Sequence, residues 1–164
     1  MKKLLSVSAV YFLFAFGAVS SVAQSPQVGG AEAKRFGGAW RLAWLEQPGP
    51  DGKPHRIECC GMLVYTPDGH MSVQVMEREP QPSATAGQDQ SSAPEQYSQG
   101  GYEASYGSYA VDEHAHTFTF HVEGALVRNL IGKDLPRSYE FSGNQLIVKS
   151  TRADEHWRVA WERY

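Results

Sequence analysis

Residues 116–125 read HTFTFHVEGA, and the stretch alternates. On an extended chain Phe118, Phe120 and Val122 share one side; Thr119, His121 and Glu123 share the other. A histidine two residues from a glutamate on one strand face is chemically competent. The imidazole can act as a general acid or base, and the carboxylate can orient it. That chemistry requires the polar face to line an interior. If the phenylalanines turn inward instead, His121 and Glu123 stand in solvent; both arrangements remain open at the level of sequence.

Other reactive residue types give less. His114 and His116 lie on the same side of an extended chain, as two metal ligands would. No convincing third ligand accompanies them, and DEHAH also reads as a solvated turn, so no metal is expected. Cys59 and Cys60 are the only cysteines and are adjacent. Neighbours on a strand point to opposite faces, so the pair cannot staple distant elements. One buried and one exposed thiol is the expectation, and a strained vicinal disulfide the alternative. Ser108 in YGSYA lacks the flanking pattern of a nucleophile elbow. No glycine-rich phosphate loop occurs, and nothing in the sequence calls for a cofactor.

The elements that must position these residues are strands. From Trp40 onward, eight runs rich in aromatic and β-branched residues are separated by short turn sequences. Thr66-Pro67-Asp68-Gly69 between two alternating runs is a hairpin signal, because proline presets φ and glycine supplies positive φ. Within AWRLAWLE, strict alternation places Trp40, Leu42 and Trp44 together on one face. Residues 78–101, rich in Pro, Gln, Ser and Gly without apolar period, form a long flexible loop. Eight antiparallel strands joined by short connections predict an all-β, up-and-down barrel. Pairing the first strand with HWRVAWERY would hide both sheet edges; an open two-sheet sandwich is the alternative.

The 164-residue chain opens with Met1-Lys2-Lys3, an apolar run from Leu4 to Val19, and small residues at Ser21 and Ala23. This is the pattern of a signal peptide over 1–23, followed by a flexible linker over 24–35 and one domain over 36–164. Export to the periplasm or the extracellular space is therefore expected. Removing Lys2 and Lys3 with the leader takes the net charge from −3 to −5. Such acidity disfavours nucleic acid and anionic membrane as partners and leaves a small molecule as the expected one. A monomer or dimer is expected, with no membrane segment once the leader is removed.

GGAWRLAWLE, GMLVYTPDGHMSVQV, YEASYGSYAVD, FHVEGALVRNLIGKDLPRSYEFSGNQLIVKS and WRVAWERY together resemble the lipocalin-like domain family of small bacterial and fungal proteins. The resemblance covers about residues 36–164 and implies a calycin-type barrel with a central cavity. The family often carries two adjacent histidines where this chain has Phe120-His121, and a tryptophan–valine pair where it has Leu130-Ile131. The resemblance marks the histidine–valine–glutamate stretch and Arg137 as recurring polar positions, which implies an internal site of His121, Glu123 and Arg137. Tyr106, Tyr109, Tyr139 and Trp44 would supply its walls and hydroxyl donors. Trp40 packed under Arg158 or Arg163 would close the barrel base, as in ordinary lipocalins.

Three functions fit this reading. The first is an exported protein holding a small hydrophobic or amphipathic molecule in its barrel. The second is a cofactor-free isomerase, cyclase or hydrolase in the same cavity, with His121 as acid or base and Arg137 holding an oxyanion. The third is an envelope interaction protein with a packed interior.

Overall fold

The Thr66–Gly69 turn is formed as its residue types require. In the computed structural model, which describes residues 30–79 and 96–164, Gly69 takes φ 91°. The Thr66 hydroxyl donates to the His70 carbonyl at 3.0 Å and accepts from the His70 amide at 3.1 Å. The strands on either side, β3 (Cys59–Tyr65) and β4 (His70–Glu77), pair antiparallel along their whole length.

Around them stand β1 (Gly38–Pro48), β2 (Pro54–Ile57), β5 (Tyr102–Asp112), β6 (Thr117–Ala125), β7 (Asp134–Ser142), β8 (Gln145–Ser150) and β9 (Arg158–Arg163). From β3 to β9 each strand pairs with the next in chain order, and β1 pairs with β2, β3 and β9. Strands β2 and β3 are separated by Glu58 alone. Strand β2 pairs with the far half of β1 and β3 with its near half, so the two share one position of an eight-stranded closed barrel. Closure leaves no exposed edge in that ring.

Two bulges set the curvature. On β1 the register with β9 shifts between Leu42 and Trp44. Trp40 therefore faces the core and Leu45 lines the interior, whereas Trp44 turns to the other face. The strict alternation expected for β1 fails here because an extra residue reverses the side-chain sides. On β5 the register shifts between Tyr106 and Gly107. A Cβ at Gly107 would lie 1.9 Å from the His121 carbonyl oxygen, so only glycine fits the close approach.

One end of the barrel is closed where the segment expected to be a linker meets the domain. Residues Ala33–Phe36 form α1, and Phe36 is fully buried. Its ring meets Tyr139 at 4.8 Å, Tyr65 at 5.1 Å, Phe141 at 5.2 Å and Phe118 at 5.6 Å, mostly edge-on. The Trp40 indole donates to the Phe36 carbonyl at 2.7 Å. Arg163 lies 4.3 Å above the Trp40 ring and donates to the carbonyls of Gly37, at 2.9 Å, and Arg35. Thus the base joins the first and last strands through an aromatic plug and one guanidinium.

The other end carries the connections β1–β2, β4–β5, β6–β7, with a 3-10 turn at Arg128–Leu130, and β8–β9. The leader expected over 1–23, the first part of the linker and residues 80–95 of the long loop lie outside the described residues. Among those described, no helix is long and apolar enough to cross a membrane.

Candidate functional site

Period-2 alternation in each strand turns one apolar set inward. The interior is not filled: a cavity of about 390 Å³ remains, within the roughly 300–1,000 Å³ range of small-molecule sites. Its walls are apolar and come from every side. Met71, Val73 and Val75 stand on β4, Phe118 and Phe120 on β6, and Leu135 on β7. Val148, Val159 and Trp161 complete the far wall, and Leu130 reaches in from the 3-10 turn. The Tyr65 hydroxyl, at the floor, is buried and has no hydrogen-bond partner among the described residues.

Arg137 on β7 is the charged residue set into this wall. It is 6% exposed. Strand alternation puts it inward with Leu135 and Tyr139, opposite Phe118 on β6. Its Nη1 donates to the Pro136 carbonyl at 3.1 Å. Among the described residues no carboxylate comes within 4.0 Å of the guanidinium. Aromatic rings flank it instead: its central carbon is 5.0 Å from the ring centre of Tyr97 and 5.0 Å from that of Trp157. Cations are attracted to such faces, most strongly where water is excluded.

Those two rings are themselves held by a buried carboxylate. Glu155, whose side chain is 1% exposed, accepts from the Tyr97 hydroxyl at 3.0 and 2.9 Å and from the Trp157 indole at 3.2 Å. Arg152 lies 3.2 Å from its other side. Burial pushes the Glu155 carboxyl up, but hydrogen bonds from Ser150, Tyr97 and Trp157 outweigh it and hold the group below the usual carboxylate range. Burial likewise drives the Tyr97 hydroxyl well above its ordinary range, against the pull of Arg137.

A second carboxyl faces the lumen. Glu103, half-buried on β5, lines the cavity, and its pKa is raised to about 7 by burial, with Arg137 pulling it down. The mouth is edged by Gln47, Glu77, Gln96, Asp154 and His156.

The residues singled out from sequence are not gathered in one place. Arg137 is inside. His121 is on the outer face, exposed, with Nδ1 2.8 Å from Asp134 Oδ1; Glu123 is exposed on the same face. The large apolar side of β6 took the interior, as the area it removes from water dictates. Tyr106 is 57% exposed. Tyr109 is buried and donates to the Thr66 carbonyl at 3.3 Å, in the wall of the base rather than at the cavity. Tyr139 packs on Phe36, and its hydroxyl donates to Glu32 Oε2 at 2.7 Å, also at the base. Trp44 sits outside between two arginines, Arg56 and Arg158, each 5.4 Å from its ring. The β1 bulge is the reason it left the lumen.

Sequence reasoning missed Tyr97, Glu103, Glu155 and Trp157. Three of them, Tyr97, Glu155 and Trp157, sit in loops, where no period signals direction. Glu103 followed a strand period that carried no polar cue.

His114 and His116 belong to the exposed β5–β6 turn, with His116 Nδ1 3.5 Å from Glu32. Among the described residues no group of three metal-ligating side chains is assembled. Cys59 and Cys60 are free thiols, the first half-buried and the second exposed.

A model of the lipocalin-like domain family matches residues 37–163. No curated protein matches the chain. Among solved structures, similar ones include a lipocalin-like protein from Bacteroides uniformis, 11% identical, with TM-score 0.45 over 79% of this chain and 99% of that one. An uncharacterised protein from Bacteroides eggerthii is 13% identical, with TM-score 0.45 over 79% and 99% of the two chains. A redesigned β-barrel is 12% identical, with TM-score 0.42 over 80% and 93%. With a family model spanning nearly the whole barrel, and a closed, hollow antiparallel barrel to match, this chain belongs to the lipocalin-like domain family.

Proposed function

We propose that this protein is an exported carrier that holds one small hydrophobic or amphipathic molecule in its barrel. The observation that supports it is the cavity itself: about 390 Å³, walled by aliphatic and aromatic side chains, closed at the base by Phe36 and edged by polar residues at the mouth. An apolar guest entering such a space removes its own surface and that of the walls from water, at roughly 25 cal/mol per Å². Export is supported by the Lys2-Lys3 and Leu4–Val19 leader pattern.

The enzyme reading loses its acid–base group, since His121 points away from the cavity. The packed-interior reading does not account for the space between β4 and β7.

The test is native mass spectrometry of the protein purified from its own envelope, paired with titration by the uncharged dye Nile red. A dissociable adduct, or dye fluorescence abolished by the cavity-filling change Val148→Phe, is the expected result. A clean apo mass together with dye binding no greater than that of denatured protein overturns the reading.

A further inference from the structure

We propose that the cavity selects ligands by a single carboxylate head, held by Arg137 beside Tyr97 and Trp157. The proposal rests on the carrier reading above and specifies the class of its ligand.

A guanidinium has five N–H donors in a flat fork. Within this protein Arg137 donates to the Pro136 carbonyl beside it and interacts with the Tyr97 hydroxyl. It is 94% buried, it lines the cavity, and no described carboxylate lies within 4.0 Å of its guanidinium. Burying an unpaired charge is costly, and such residues persist where something completes them. Tyr97 and Trp157 pack on adjacent sides of the guanidinium, each ring centre 5.0 Å from its central carbon and the two 6.0 Å apart, and offset part of that cost. A carboxylate matches the flat fork with two parallel hydrogen bonds.

The surrounding charges set the head at one negative unit. Glu155 is paired with Arg152 and hydrogen-bonded by Tyr97 and Trp157, and it acts on Arg137 only across a distance greater than 4.0 Å. Glu103 shares the lumen and, when ionised, opposes a second negative charge. A monoanion therefore fits better than a phosphate dianion. A cationic head would meet Arg137 directly.

The experiment is calorimetric titration at pH 6 with three twelve-carbon probes: dodecanoate, dodecanol and dodecyltrimethylammonium. Dodecanoate is expected to bind about ten- to hundredfold more tightly than dodecanol, and the ammonium more weakly than either. In Arg137→Gln the preference of dodecanoate over dodecanol disappears while dodecanol affinity stays within about twofold. Arg137→Lys, which keeps the charge but not the fork, is expected to retain only part of it. The wild-type series alone decides the matter if the Gln variant does not fold. Equal binding of dodecanoate and dodecanol overturns the carboxylate assignment and leaves the carrier reading intact. Binding of none of the three overturns both.

Discussion

The Tyr97 hydroxyl donates to both carboxylate oxygens of Glu155, at 3.0 and 2.9 Å. This one contact ties the chain just beyond residues 80–95 to the β8–β9 turn, across the mouth of the barrel. It also fixes Tyr97 beside Trp157, their rings 6.0 Å apart. Tyr97→Phe keeps the ring and removes the donor. A hydrogen bond to a charged group is worth about 1.5–3 kcal/mol, so a loss of that order in chemical denaturation is expected. Glu155→Gln should cost at least as much, because the charge that Tyr97, Trp157 and Arg152 all address is removed, although Arg152 keeps Asp154 at 2.7 Å. A Tyr97→Phe protein as stable as wild type would show that the contact does not hold the mouth.

At the opposite end, Arg163 covers Trp40 at 4.3 Å and bonds two carbonyls of the entering chain. Arg163→Lys retains a charge but not a flat fork that can stack and donate in two directions at once. The expected cost is about 1–2 kcal/mol, read as a lowered denaturation midpoint. Ligand affinity should not change, because the pair lies beneath Phe36 and outside the cavity. A change in affinity without loss of stability would contradict this assignment.

How much was legible beforehand follows from what periodicity encodes. Alternation marked the strands and divided each into two faces, and the aromatic first and last strands pointed to closure. The same rule showed that Phe118, Phe120 and Val122 compete with His121 and Glu123 for the interior, and their apolar area decides the contest. The resemblance named Arg137, and alternation on β7 then carries it inward. It could not place Trp44, because a bulge reverses side-chain direction without altering residue types. Phe36 was hidden for another reason: a four-residue helix has no period to read, and its burial comes from contacts far along the chain. Tyr97 and Glu155 lie 58 residues apart, and nothing local to either one announces the other.

His121 provides a direct contrast with Arg137. It is exposed and pairs with an exposed aspartate at 2.8 Å, a kind of contact worth about 0–1 kcal/mol. His121→Ala should leave stability within about 0.5 kcal/mol and leave Nile red binding unchanged. A variant that folds normally but loses the dye would place His121 in the binding machinery, against the geometry of β6.

Glu103 makes the interior sensitive to pH. Burial raises its pKa to about 7 and Arg137 draws it back down. The groups facing it are Arg137 across the lumen, Glu77 on β4, Tyr97, and Asp154, Glu155 and His156 at the β8–β9 turn. The folded-state value lies above the unfolded carboxyl value of 4.5. Folding therefore favours the protonated form. The favourable contribution is complete below about pH 4.5 and is lost as the pH rises through 7. Glu103→Gln removes the ionisation. The variant should match wild-type stability near pH 5 and exceed it by about 1–2 kcal/mol at pH 8.5. Taking the difference between the two proteins at each pH cancels every other titrating group to first order. The same ionisation places a like charge beside a bound carboxylate, so wild-type affinity for dodecanoate should fall between pH 6 and 8, and Glu103→Gln should flatten that fall. A stability difference constant from pH 5 to 8.5 would mean that Glu103 reaches solvent and titrates as an ordinary carboxyl.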